Sequence, residues 1–334
     1  MGSEPFNACW DRLERASTHR GNLTTVWNEY IEEDPYDVTL THQGDGVHVL
    51  EVWEDNPIPP QFALEFGEWL YNARACLDYI IWATAAYVTG QMPPPKEHVL
   101  QYPVYDTDNA WTKNLPRLRS LAPRHQERLL QMQPFNARTG SNYLKVLNHL
   151  ARVDRHRRLT ISAAHLAEIQ PAISLSMNAN PTIQWGQRLV VDGHAEVARI
   201  VVSPWDPAIE VSVNPRIGID PDVAEWPELN FWRKFRFGDR LRMIELFLAA
   251  EIATYEFDCT GSSRSSDLLT DQYVAECEER GALDPIIMDA APEVDWGPIT
   301  EATPSTQARF QGDDLPTGAA SPDSPRRRNP RDQA

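Results

Sequence analysis

Apolar residues recur at three- and four-residue steps through residues 61–90. Phe62, Phe66, Trp69, Leu70, Ala73, Leu77, Ile80, Ile81, Thr84 and Val88 make one broad face at 3.6 residues per turn. Pro59 and Pro60 suit the start of such a helix, and Gly90 with Pro93, Pro94 and Pro95 stops it. This pattern predicts a central helix with material on most sides. Residues 5–32 carry a weaker stripe of Trp10, Leu13, Leu23, Trp27, Tyr30 and Ile31, with Gly21 as a point where it could bend. Residues 141–157 predict a third helix, capped by Ser141 and faced with Tyr143, Val146, Leu147, Leu150 and Val153. Residues 239–257 predict a fourth, with Leu241, Ile244, Phe247, Leu248 and Ile252 on one side. A shorter helix is expected near 123–132, behind Pro123.

Elsewhere the period drops to two. Residues 38–41 and 47–53 alternate around Gln43-Gly44-Asp45-Gly46, a hairpin pattern. Between 158 and 214 four β-rich runs follow, and Asp192-Gly193-His194 marks a tight turn between two of them. The fold class expected is α+β, a bundle of about four main helices with a β-hairpin and an antiparallel sheet at one side. Residues 1–260 form the expected globular domain. Residues 261–288 would hold an acidic helix and linker. Residues 289–334, rich in Pro, Gly, Ser, Thr and Asp, bury too little apolar surface to order themselves and are expected to be disordered.

Charge changes this picture. The chain carries −17, yet residues 113–158 hold eleven basic side chains against Glu127 and Asp154, a local +9 that leaves −26 for the remainder. A strongly acidic chain does not bind polyanions as a whole, so any such binding is confined to this segment. Cys9, Cys76, Cys259 and Cys277 are far apart and lack metal-ligand spacing, so no metal and no disulfide framework is expected. Glu65, Glu68, Arg74 and Asp78 interrupt the central helix, which argues against a membrane span. The first residues lack a signal-peptide pattern, and Phe6 replaces the Ser or Thr that would follow a myristoylated Gly2. A cytoplasmic location follows as the expectation. No cofactor motif, neither P-loop nor GxGxxG nor HExxH, is present.

Two constellations carry candidate chemistry. On the central helix Arg74 and Asp78 are one turn apart, suited to an ion pair. On the 141–157 helix Lys145, Asn148, His149, Arg152, Arg155 and His156 project from one face, followed by Arg157 and Arg158. Arginine holds phosphate bidentately, and a histidine beside cations can move a proton, so Arg152 and His156 are the candidate catalytic pair. Lys145, Asn148, His149, Arg155, Arg157 and Arg158 would be the RNA-binding set. Asp154 lies on the apolar flank, where a lone carboxylate is costly, and Arg74 is its expected partner. His42 and His48 could meet across the hairpin, but two histidines alone make no metal site.

Arg74-Ala-Cys-Leu-Asp78-Tyr79, Gln133-Pro134-Phe135 and Asp154-Arg155-His156-Arg157 together resemble a family of uncharacterised bacterial and phage proteins, over about residues 5–258. The family's Arg-x4-His element, which falls here on Arg74 and Tyr79, is similar to the signature of HEPN-type helical ribonucleases and nucleotide-binding domains. These resemblances imply a protein of phage–host conflict that binds single-stranded RNA or cuts it without metal. A second copy of the chain is allowed as a partner. The chain departs from the family pattern at Tyr79, which stands where a histidine is usual. Arg74 and position 79 also point about 140° apart on a helix, so the site is placed at Arg152 and His156 instead. The alternative is a non-catalytic interaction protein whose charged motifs only hold the bundle together.

Overall fold

The computed structural model describes residues 4–136, 142–156, 162–190, 192–226 and 235–264. The expected 261–288 helix, from residue 265 on, and the 289–334 tail lie outside them. The fold is α+β, with six α-helices and antiparallel sheets among the described residues. The helices are α1 (Glu4–Glu32), α2 (Pro60–Thr89), α3 (Asp108–Asn114), α4 (Pro123–Gln131), α5 (Tyr143–His156) and α6 (Phe237–Thr260). No described helix is long and apolar enough to cross a membrane.

The two N-terminal helices run antiparallel: Trp27 packs on Phe62, His19 meets Glu65, and Arg12 reaches Tyr79. Gly21 neither breaks nor bends α1 into two helices, because it meets open space and costs only helix propensity. Helix α2 closes as its sequence predicts, with Gly90 left-handed at φ 64° and its N–H on the Tyr87 carbonyl. Its apolar face is buried except for Val88. Asn142, beside the predicted Ser141, caps α5 by accepting from the Lys145 N–H at 2.7 Å.

Helix α6 is the second axis of the bundle, and here the structure goes beyond a single apolar face. Phe237 packs on Phe62 and Phe66 at one end, and Tyr255 and Cys259 are buried at the other. Four charged residues on it, Arg240, Glu245, Glu251 and Glu256, are also buried. Each has partners. Arg240 forks onto Asp222 at 3.0 and 2.8 Å. Glu245 takes Arg20 and the Trp69 indole, Glu251 takes Arg128 and the Tyr102 hydroxyl, and Glu256 takes the Trp10 indole. A helix surrounded on most sides needs such satisfied charges, because a buried lone charge is strongly unfavourable.

The strands are β1 (Tyr36–Gly44), β2 (Val47–Glu54), β3 (Ser162–Ile169), β4 (Ala172–Leu175), β5 (Asn180–Trp185), β6 (Leu189–Val190), β7 (His194–Ser203), β8 (Val211–Asn214) and β9 (Ile217–Val223). The hairpin is joined to distant chain in one sheet of order β1-β2-β7-β5, while β6-β3-β9 and β4-β8 make two smaller ones. Its turn is tight for a physical reason. Gly44, Asp45 and Gly46 all have positive φ, and a Cβ at Gly46 would stand 2.6 Å from the Val202 carbonyl. His42 and His48 are register partners whose rings stack at 4.6 Å, with Trp205 against both. The Asp192-Gly193 turn forms with positive φ at both residues, but the strands it joins, β6 and β7, belong to different sheets.

Candidate functional site

Two of the three motif blocks grip one extended segment. Arg74 donates to Asp78 Oδ1 at 2.6 Å and to the Tyr102 carbonyl at 2.9 Å, and the Tyr102 N–H donates to the same Asp78 oxygen at 2.9 Å. Gln133, fully buried, accepts from the Tyr105 N–H and donates to the Pro103 and Leu129 carbonyls. Along 102–105, which lies outside the sheets among the described residues, the Tyr102 N–H and carbonyl, the Pro103 carbonyl and the Tyr105 N–H are thus met by side chains. These residues are brackets for a connection. The expected Arg74–Asp78 pair is present.

The expected Arg74–Asp154 pair does not form. Arg74 is taken by Asp78 and Tyr102, and Asp154 lies instead against Gly67, where its Oδ1 is buried with no hydrogen-bond partner among the described residues. The close approach depends on glycine, since a Cβ at Gly67 would stand 3.0 Å from both Asp154 carboxylate oxygens. Burial, and then the charge of Glu68, push the Asp154 carboxyl above its ordinary range, with Arg155 acting the other way. Leu64, Gly67, Glu68, Tyr71, Asp154 and Arg155 line a cleft of about 240 Å³ there.

The basic face of α5 has the predicted composition. Lys145, His149, Arg152 and Arg155 are exposed and Asn148 is half-buried. His156 ends the helix, but its side chain lies outside the described residues, as do Arg157 and Arg158. Of the described basic residues of α5, Arg155 lines the cleft, while Arg152 is exposed.

Arg155 leads to side chains that the motifs did not mark. Its guanidinium stands 6.0 Å from the centre of the Tyr71 ring, and Arg12 of α1 stands 5.5 Å from the same ring. Tyr71 is 48% exposed. Arg12 then continues to Tyr79, 5.2 Å from its ring and 3.1 Å from its hydroxyl, and is fixed by Asn72 at 3.0 Å. The result is a ladder of cations and aromatics, Arg155–Tyr71–Arg12–Tyr79, on the outer side of α2. The sequence signal for it is the placement of Tyr71 and Tyr79 eight residues apart, a little over two turns and about 80° around the helix, where one cation between them reaches both rings. Only the antiparallel packing of α1 adds Arg12.

Beyond Tyr79 a cavity of about 410 Å³ opens, lined by Pro5, Ala8, Asp78, Tyr79, Trp82 and Leu100. Trp82 is held by its indole N–H on Glu97 at 3.2 Å. Comparison of the chain with family models, curated proteins and solved structures gives no match.

Proposed function

We propose that the chain binds single-stranded RNA along the outer sides of α5 and α2. The observation that carries this reading is exposed Tyr71 set between Arg12 and Arg155. Binding of single strands without a fixed sequence combines cations that track the backbone with aromatic faces on which bases stack. Lys145, Arg152 and Arg155 supply the cations, and Tyr71 supplies the face. The acidity of the rest of the chain keeps phosphate on this strip. Asp154 sits on the inner side of α5, away from Lys145 and Arg152 by the helical period. The reading covers binding. Cleavage needs His156 beside Arg152, and that side chain lies outside the described residues.

Fluorescence anisotropy of a labelled unstructured RNA against salt tests it. Three phosphate contacts predict a log–log slope of roughly −2, from about −0.7 per contact on single strands. Arg152→Glu should weaken binding and flatten that slope. Tyr71→Ala should weaken binding by about 1–3 kcal/mol with the slope unchanged, since stacking releases no counterions. No binding at low salt would remove the reading and leave the interaction protein.

A further inference from the structure

We infer that the cleft between α2 and α5 is a ribose subsite, in which the Asp154 carboxylate accepts the 2′-hydroxyl of one nucleotide and so selects RNA over DNA; as a subsite of the strip it rests on the RNA reading above. Proteins tell RNA from DNA at a given position through the 2′-OH, and an acidic side chain that takes a ribose 2′-OH recurs in nucleotide-binding folds.

The position of Asp154 is set by packing. Gly67 and Tyr71 are one turn apart on α2, so their side-chain positions are neighbours, about 5–6 Å apart. Gly67 has no side chain, and both Asp154 oxygens stand 3.0 Å from the place its Cβ would take. The carboxylate therefore lies on the Tyr71 face of α2, one turn from a ring that is 48% exposed. The Arg155 guanidinium stands 6.0 Å from the centre of that ring. Stacking face, acceptor and phosphate-binding cation thus border one cleft. Its volume, about 240 Å³, is below the roughly 300–1,000 Å³ of sites that enclose a whole small ligand, and suits one part of a nucleotide.

The carboxylate also has an acceptor to offer. Oδ1 is buried with no partner among the described residues. Oδ2 is less enclosed, and it too takes no hydrogen bond from them. The surrounding charges decide the kind of guest. Asp154 and exposed Glu68 repel a phosphate from the cleft, while Arg155 and Arg12 about Tyr71 repel a cationic side chain. A neutral donor is repelled by neither, and a hydroxyl on a carboxylate makes one of the stronger hydrogen bonds. In a strand whose base lies on Tyr71 and whose phosphate lies on Arg155, the group that turns into the cleft is the sugar. Leu64 and Ala151 give it apolar walls. Deoxyribose brings no hydroxyl and leaves the acceptor unpaired.

The test is fluorescence anisotropy of the full chain with one unstructured sequence made as RNA, as DNA and as 2′-fluoro RNA, which lacks the hydroxyl donor at similar size. RNA should bind about tenfold more tightly than either of the others, the factor that 1.4 kcal/mol represents. Asp154→Ala removes the acceptor without breaking a side-chain pair among the described residues. Loss of its charge acts on RNA and DNA alike, so the ratio of the two affinities is the readout, and it should fall to about one. Asp154→Asn, of equal size, should lower the ratio too, since an amide oxygen is a weaker acceptor than a carboxylate. Equal binding of RNA and DNA by the wild type overturns the subsite and leaves a single-strand surface without sugar selection. Binding of 2′-fluoro RNA as tight as that of RNA traces the preference to sugar shape and also overturns it. A tenfold ratio that survives in both Asp154 variants puts the 2′-OH contact elsewhere and overturns the assignment to Asp154. No binding of any of the three at low salt overturns the RNA reading, and the subsite with it.

Discussion

The buried charges of α6 and the half-buried carboxylate of α5 face the same problem and meet it differently. On α6, Arg240, Glu245, Glu251 and Glu256 each reach a partner on another element, and the pairs tie α6 to α1, α2, α4 and the strand before it. On α5, Asp154 is pressed on Gly67 with Oδ1 unpaired among the described residues and Glu68 nearby. The first arrangement holds the bundle together. The second works against it. Burial alone therefore does not tell a structural charge from one that the fold merely tolerates; the presence of a partner does.

The largest effect should come from breaking a satisfied pair. Arg240→Ala leaves Asp222 buried and alone, and is expected to lower stability by about 3–5 kcal/mol in urea unfolding. Replacing both, Arg240→Met with Asp222→Leu, should recover much of that loss, because a paired burial can be exchanged for packing. If the double variant is as unstable as the single, Arg240 does more than neutralise Asp222.

A smaller effect, with a change of sign, is expected at Gly67. Gly67→Ala forces its Cβ to 3.0 Å from the Asp154 oxygens, an overpacking that costs about 1–3 kcal/mol against a helix-propensity gain of about 1 kcal/mol. In an Asp154→Ala background the clash is gone, and the same substitution should stabilise by about 1 kcal/mol. A double-mutant cycle measures the coupling, and additive effects would mean that the two residues do not press on each other.

The smallest effect is the one that depends on pH. Asp154 has its carboxyl pushed above the ordinary aspartate value of 3.8, so the fold disfavours its ionised form. The resulting penalty is full above the raised folded value, shrinks as pH falls through it, and is gone below the unfolded value. Asp154→Asn should therefore melt at a higher temperature than the wild type at pH 7, with the two curves converging as the solution is acidified toward pH 4. A variant less stable at pH 7 would place an undetected partner on Asp154.

The difference between these regions also explains what could be read from the chain alone. Helix α2 was legible because its burial is one-sided enough to leave a stripe. The central position of α6 was hidden. Its glutamates read as a polar face, and only Arg20, Trp69, Tyr102, Arg128 and Trp10, all remote in sequence, make that face internal. Strand β9 was missed because Pro221 and Asp220 interrupt its pattern. The Arg74–Asp78 pair follows from local spacing, whereas the pairing of Arg74 with Asp154 assumed that two charges near apolar faces would find each other. The Tyr102 backbone had prior claim on Arg74, and no spacing rule shows a backbone group. For the same reason the basic face of α5 was legible residue by residue, but the Tyr71 ladder that continues it was not.

The pairing of β2 with β7 has a consequence for the birth of the protein. Val47 lies opposite Val201, so the hairpin and its second neighbour are separated by roughly 150 residues of chain. At translation rates of about 5–20 residues per second, that is roughly 8–30 seconds between their emergence. During this interval β2 has β1 on one side and an open ladder on the other, an edge able to recruit foreign strands. The nascent chain passes through its most association-prone stage while the bundle's first two helices are already made and the last one is still to come.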